Sequence, residues 1–238
     1  MCKKKKMKKK DFSALDPFGK ALLAYWRGDA SAQITQEYRS GRKKLIPASV
    51  FFRDIENIYP VEDIFGHCQG RILVVGAGTG VHVLELERQG YEVTAIEVNP
   101  QAVQIMKERG VKDIRHCDFF EFSGQLYETI LMLGHNIGIC ETVDRLKILL
   151  QRCKSLLVPD GQLLVNSVDE SVSSDVKKHD GYPGEQEFRL CYEGNFGPWM
   201  RWLHVDFETL SMKAAEGGWS TEELVETKDG EFLAKLNP

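Results

Sequence analysis

Long apolar runs are missing from this chain. No stretch approaches the roughly 20 apolar residues that a membrane-spanning helix requires, which predicts no membrane partner. Paired cysteines are missing as well. Cys2, Cys68, Cys117, Cys140, Cys153 and Cys191 are scattered, with no Cys-x-x-Cys pair, so neither a zinc cluster nor a disulfide framework is expected. No His, Cys and Asp grouping has metal-ligand spacing, and no metal is expected. The basic start, MCKKKKMKKK, lacks the apolar segment that a secretory signal carries after it, which points to a cytoplasmic protein with reduced thiols.

Positive charge is scarce beyond that start. Seven of the 31 basic side chains lie in the first ten residues, so the remaining 24 face 35 carboxylates. An acidic body matches a phosphate backbone poorly, and nucleic acid is not the expected partner. The self-repelling lysine block, residues 1–10, reads as a disordered tail; an anchor for RNA or an anionic surface is its other role. With 42% hydrophobic side chains over 238 residues, the chain can form one α/β domain with a sizeable core and some decoration.

From about residue 70 to 168, short apolar runs alternate with helical patterns, the signature of βαβ units on a parallel sheet. Residues 71–75 (RILVV) suit a strand buried on both faces. A helix over 81–89, stopped by Gly90, leads to a second strand at 93–98 (VTAIEV). Asn99 can cap the next helix, with Pro100 in its first turn and Gly110 past its end. Strands at 113–115 and 129–133 follow, then a helix at 141–157, a turn at Pro159-Asp160-Gly161 and a fifth strand at 162–168. Residues 11–69 form an N-terminal extension, with a helix at 18–27 and a hairpin of 33–38 against 44–47. Residues 70–238 form the main domain, with a β-hairpin insertion at about 185–205 built from runs 187–192 and 199–205. A helix capped by Asp206 and strands near 222–227 and 231–236 end the chain. The expected fold is α/β: a three-layer, doubly wound, seven-stranded and mostly parallel sheet.

The informative segment is Val74-Val75-Gly76-Ala77-Gly78-Thr79-Gly80, between the first strand and its helix. Glycines there let the backbone approach a ligand closely, and the next helix aims its N-terminal N–H groups at it. A dinucleotide fingerprint, Gly-x-Gly-x-x-Gly, would need glycine at position 81 or 83, and these are Val81 and Val83. Nicotinamide cofactors are therefore disfavoured. Glu97 ends the second strand, where a carboxylate can accept from both hydroxyls of a ribose. Asp118, after the third strand, either takes an adenine amino group while Phe119 packs on the ring, or caps the following turn.

In order along the chain, VVGAGTG, AIEVNP, HCDFF, YETILMLGHNIG and LVPDGQLLV resemble the successive motifs of class I, Rossmann-like methyltransferases dependent on S-adenosyl-L-methionine (SAM). The resemblance spans about 100 of the 238 residues. It implies a sheet whose last strand is antiparallel and SAM lying across the strand ends, with S-adenosyl-L-homocysteine (SAH) as product. By resemblance Gly76, Gly78 and Gly80 border the methionine part, Glu97 the ribose and Asp118 the adenine. Ala77, Thr79, Val98, Phe119, Leu133 and Gly134 complete the expected cofactor set. Val74 departs from the pattern, since many members carry an acidic residue there.

For such an enzyme the sequence 133–138 (LGHNIG) lies beside the expected methyl position. His135 is a candidate base, or a loop histidine bonded to backbone; Asn136 either orients the acceptor or closes the turn. Substrate contacts are expected from Tyr25, Trp26, Phe52 and Arg53 in the extension and from Trp199, Arg201 and Trp202 in the insertion. That aromatic run equally suits a dimer contact or plain packing. The expected activity is methyl transfer to O or N of a small-molecule acceptor by a monomer or homodimer. The alternatives are an RNA or protein methyltransferase and a SAM-binding protein without catalysis.

Overall fold

The chain passes through α1 (Asp16–Trp26), the hairpin β1 (Gln33–Tyr38) and β2 (Lys43–Pro47), a 3-10 turn (Ala48–Phe52) and α2 (Val61–Gly66) before its main sheet. The core follows as β3 (Ile72–Val75), α3 (Val81–Arg88), β4 (Val93–Glu97), α4 (Pro100–Arg109), β5 (Ile114–His116) and β6 (Tyr127–Met132). A 3-10 turn (Asn136–Cys140), α5 (Val143–Lys154) and β7 (Leu157–Val168) continue it. Strands β8 (Glu185–Tyr192), β9 (Asn195–Phe196) and β10 (Met200–Leu203) then precede α6 (Phe207–Glu216), β11 (Ser220–Glu226) and β12 (Glu231–Asn237). The structure, a computed structural model, describes residues 11–53, 61–172 and 181–238; the lysine-rich tail lies outside the described residues.

The seven-stranded sheet runs β11-β12-β7-β6-β3-β4-β5. β3 pairs in parallel with both β4 and β6, and β12 runs antiparallel to β7 and β11. The chain winds outward from β3 in both directions, so the strand order reverses between β3 and β6. In open sheets of this kind, ligands bind beyond the strand C-termini at such a reversal. Alternation along β3 builds the three layers. Leu73 and Val75 pack with α5 and α6, whereas Ile72 and Val74 pack with α3 and α4.

Two expectations change. The turn at Pro159–Gly161 is instead part of β7. Tyr127 pairs with Leu157, but Thr129 pairs with Gln162, so residues 158–161 bulge within one strand. A bulge spares the ladder the N–H that Pro159 lacks. The strand expected over 199–205 is shorter, β10 at Met200–Leu203, and β9 at Asn195–Phe196 precedes it on the same edge of β8.

The second change of scale is a second sheet. β1 of the extension pairs antiparallel with β8 of the insertion, Thr35 opposite Cys191 through Tyr38 opposite Phe188. Extension and insertion therefore share one five-stranded sheet, order β10-β8-β1-β2 with β9 beside β8. Ala21, Ile34, Phe188 and Leu190 form its small core. Among the described residues no helix is long and apolar enough to cross a membrane.

Candidate active site

The glycine loop leaves β3 and folds back on β4. The N–H groups of Gly76 and Ala77 both donate to the Ile96 carbonyl, at 2.9 and 3.0 Å. Gly76 and Gly78 have φ of 70° and 56°, in the left-handed region that favours glycine. Gly80, at φ 83°, is the N-cap of α3. The surroundings of these glycines differ. A Cβ on Gly76 would lie 2.5 Å from Asn136 Nδ2, whereas a Cβ on Gly78 would meet nothing within 4 Å.

Glu97 closes β4 beneath this loop and is only 6% exposed. One carboxylate oxygen accepts from Gly78 N, and the other from Val98 N and Asn99 N, each at 2.8 Å. Burial pushes its pKa above the ordinary carboxylate range, and the three N–H donors oppose that shift. Asn99 caps α4 by accepting from Gln101 N and Ala102 N, while its Nδ2 donates to Leu15 O at 2.9 Å. The extension is thus tied to the residue two places beyond Glu97. Asp118 accepts from Phe120 N at 3.1 Å, and Val98 offers its carbonyl to His116 Nε2. Phe119 is buried in the main core, with Phe120 edge-on beside it at 5.6 Å. Thr79 is buried too. Its hydroxyl donates to Phe51 O, and Arg109 donates to its carbonyl at 2.9 Å, latching the 48–52 turn to the loop.

After β6, Leu133 is buried and Gly134 is exposed, with open space where its Cβ would be. Gly134 and His135 are both left-handed, with φ of 71° and 60°. His135 N donates to Asn166 Oδ1 at 3.1 Å, and its Nε2 lies 3.2 Å from Glu231 Oε1. Its ring meets His204 edge-on at 5.2 Å. Burial, and then the neighbouring His135, push the His204 pKa down to about 3. Next door, His204 N donates to Gly184 O at 2.8 Å, and Glu170 Oε1 lies 4.0 Å from His204 Nε2. Gly184 and Glu170 line a cavity of ≈ 280 Å³ that also carries Asp169, Tyr182, Asp206 and Glu208, with no basic side chain among the described residues of its lining.

The expected substrate residues are not all brought together. Trp202 donates from Nε1 to His135 O at 3.2 Å, beside the strand ends. Trp199 lies instead between Arg39 and Arg189, 3.8 and 4.9 Å from its ring. Arg201 is exposed on β10 opposite Glu187. Tyr25 and Trp26 pack on Phe52, and Trp26 Nε1 donates to Glu108. Arg53 bonds its own turn through Val50 O. Asn166 and Glu231 were not anticipated. The signal for Asn166 was a polar residue inside an apolar strand, at 6% exposure; Glu231 has none, because it reaches His135 from the far end of the chain. Among the described residues no group of His, Cys, Asp or Glu is arranged to hold a metal.

Open space at Gly78 and Gly134, the buried Glu97 carboxylate bonded to Gly78 N, and polar strand ends fit an adenosyl cofactor. The comparisons with known proteins agree. A methyltransferase-domain family matches residues 13–209. A SAM-dependent methyltransferase from Bacteroides fragilis, solved with SAH, has a TM-score of 0.84 at 33% identity, over 94% of this chain and 95% of that one. An uncharacterized methyltransferase of Staphylococcus carnosus (strain TM300) is 29% identical over 144 residues, 58% of this chain and 67% of the relative. The SAM-bound amino pentose methyltransferase CalS10 of Micromonospora echinaspora shares the fold, with a TM-score of 0.52 at 18% identity over 74% of this chain and 89% of that one. The matched domain, the sheet order and the site at its strand ends together place this chain in the SAM-dependent methyltransferase family.

Proposed function

We propose that the chain methylates a nitrogen of a small cationic amine and that His135 takes the proton this nitrogen must lose. The observation that carries the reading is the ≈ 280 Å³ cavity beside His204, which among the described residues is lined by Asp169, Glu170, Asp206 and Glu208 with no basic side chain. Carboxylates in a concave site attract an ammonium and repel phosphate, which disfavours RNA.

SAM supplies an electrophilic methyl group on a sulfonium, so the protein's work is alignment and proton removal. An ammonium has no free pair until a base takes its proton. Glu231 beside Nε2 favours the His135 tautomer with its proton on that nitrogen, leaving Nδ1 to accept. His204 beside it is held neutral by burial. An amino pentose enzyme of the same fold is in keeping with an amine acceptor.

The test is SAH production from SAM with matched panels of small amines and their hydroxyl analogues. Turnover is expected with amines, and His135→Ala or Glu231→Gln should lower it roughly 100-fold. Turnover confined to hydroxyls, RNA or protein sinks the reading. SAM binding with no acceptor turned over in any panel would instead favour a non-catalytic SAM-binding role.

A further inference from the structure

Asn136 and Trp202 grip the same turn from opposite sides. Asn136 Nδ2 donates to the carbonyls of Val75 and Gly76, at 3.1 and 2.9 Å, and so holds the glycine loop where it leaves β3. On the other side, Trp202 of the second sheet donates to His135 O at 3.2 Å. Its indole also lies against Gly138, where an added Cβ would come within 2.1 Å of Nε1. The gripped turn begins with two successive left-handed residues, Gly134 and His135. A non-glycine residue there is strained by about 1–2 kcal/mol, so the turn keeps its shape only where neighbours impose it.

We propose that Asn136 is a positioning residue for the cofactor, fixing the glycine loop, and that Trp202 braces it, so that SAM affinity is set partly from the second sheet. The chain of contacts is continuous. The indole N–H fixes the His135 carbonyl, the next residue is Asn136, and its amide fixes the two carbonyls that begin the loop. Gly78, two residues further on, borders open space and donates to the buried carboxylate of Glu97. A loop displaced at Gly76 would move both. Asn136 therefore acts through the loop.

The experiment is calorimetric titration of SAH into the full chain, as wild type, Asn136→Ala, Trp202→Phe and the double variant. SAH needs no acceptor, so the outcome is independent of what is methylated. Two lost hydrogen bonds predict a Kd raised about tenfold for Asn136→Ala, and loss of one brace about threefold for Trp202→Phe. The double variant should fall short of the product of the two, because both act on one turn. Amides 76–80 should exchange hydrogen faster in both apo variants and regain protection with saturating SAH. An unchanged Kd in folded Asn136→Ala, or full multiplicativity in the double variant, overturns the proposal. Should Asn136→Ala not fold, Trp202→Phe, which keeps an aromatic ring in place, decides alone: an unchanged Kd rejects the brace.

Discussion

At the scale of single residues, neighbouring glycines of one loop do different work. Gly78 faces open space, so Gly78→Ala should cost the apo protein only the ~1–2 kcal/mol of a left-handed alanine. The new methyl group would then occupy the room left for the ligand, and SAH affinity should fall at least about tenfold. Gly76→Ala drives its Cβ to 2.5 Å from Asn136 Nδ2 and should destabilise the apo protein as well. Urea unfolding separates the two effects from SAH titration; wild-type affinity in Gly78→Ala would remove that glycine from the site. The loop was legible in the sequence because Gly-x-Gly-x-Gly between strand and helix is a local pattern. Which glycine meets the protein and which faces open space was not, since that depends on Asn136, 60 residues away.

At the scale of elements, the C-terminal end of β4 is held by capping and by the extension together. Asn99 Oδ1 satisfies two orphan N–H groups at the start of α4, and its Nδ2 reaches the chain entering α1. α1 approaches so closely that a Cβ on Gly19 would lie 2.3 Å from Asn99 Oδ1. Asn99→Ala should therefore cost about 1–2 kcal/mol in urea unfolding, the usual range for a lost cap, plus the tie to Leu15. A loss below ~0.5 kcal/mol would show that water replaces both contacts. The cap itself was expected from Asn-Pro before an apolar periodic run. Its second bond was not, because nothing near residue 99 encodes the path of residues 15–19. The bulge in β7 makes a related point: Pro-Asp-Gly is turn chemistry locally, yet the parallel pairing of β6 on both sides of it keeps the strand continuous.

At the scale of the whole molecule, burial of titratable groups couples folding to pH. Burial pushes the His82 pKa down to about 4, and its Nε2 has no hydrogen-bond partner. His204 is pushed to about 3 by burial and by His135. Both folded values lie below the ordinary 6.5, so the unfolded chain takes up protons first as pH falls. Their stabilisation is complete above pH 6.5 and is lost on the way down to about 4 and about 3. Glu128, held down to about 2 by Arg71, adds a lower window, present above 4.5 and lost as pH falls toward 2. Thermal unfolding should show Tm dropping from pH 6.5 downward. His82→Phe, which sacrifices no hydrogen bond, should flatten the upper part of that slope. An unchanged slope would mean that His82 titrates normally in the folded protein.

What the sequence determined by itself is what short-range physics encodes. Strand and helix periods, the caps at Asn99 and Asp206, the glycine loop and the carboxylates at strand ends are all read within a few residues. Together they sufficed for the doubly wound sheet and its adenosyl cofactor. Only the tertiary structure decided the rest. It joined the extension and the insertion into one sheet, set Glu231 against His135, and turned Asn136 from the turn toward the glycine loop. It also left Tyr25 and Trp26 packed on Phe52. The physical reason is that the first three of these contacts pair residues about 60 to 150 positions apart. Their partners are chosen by shape and burial once the sheet exists, and no local pattern in the chain carries that choice.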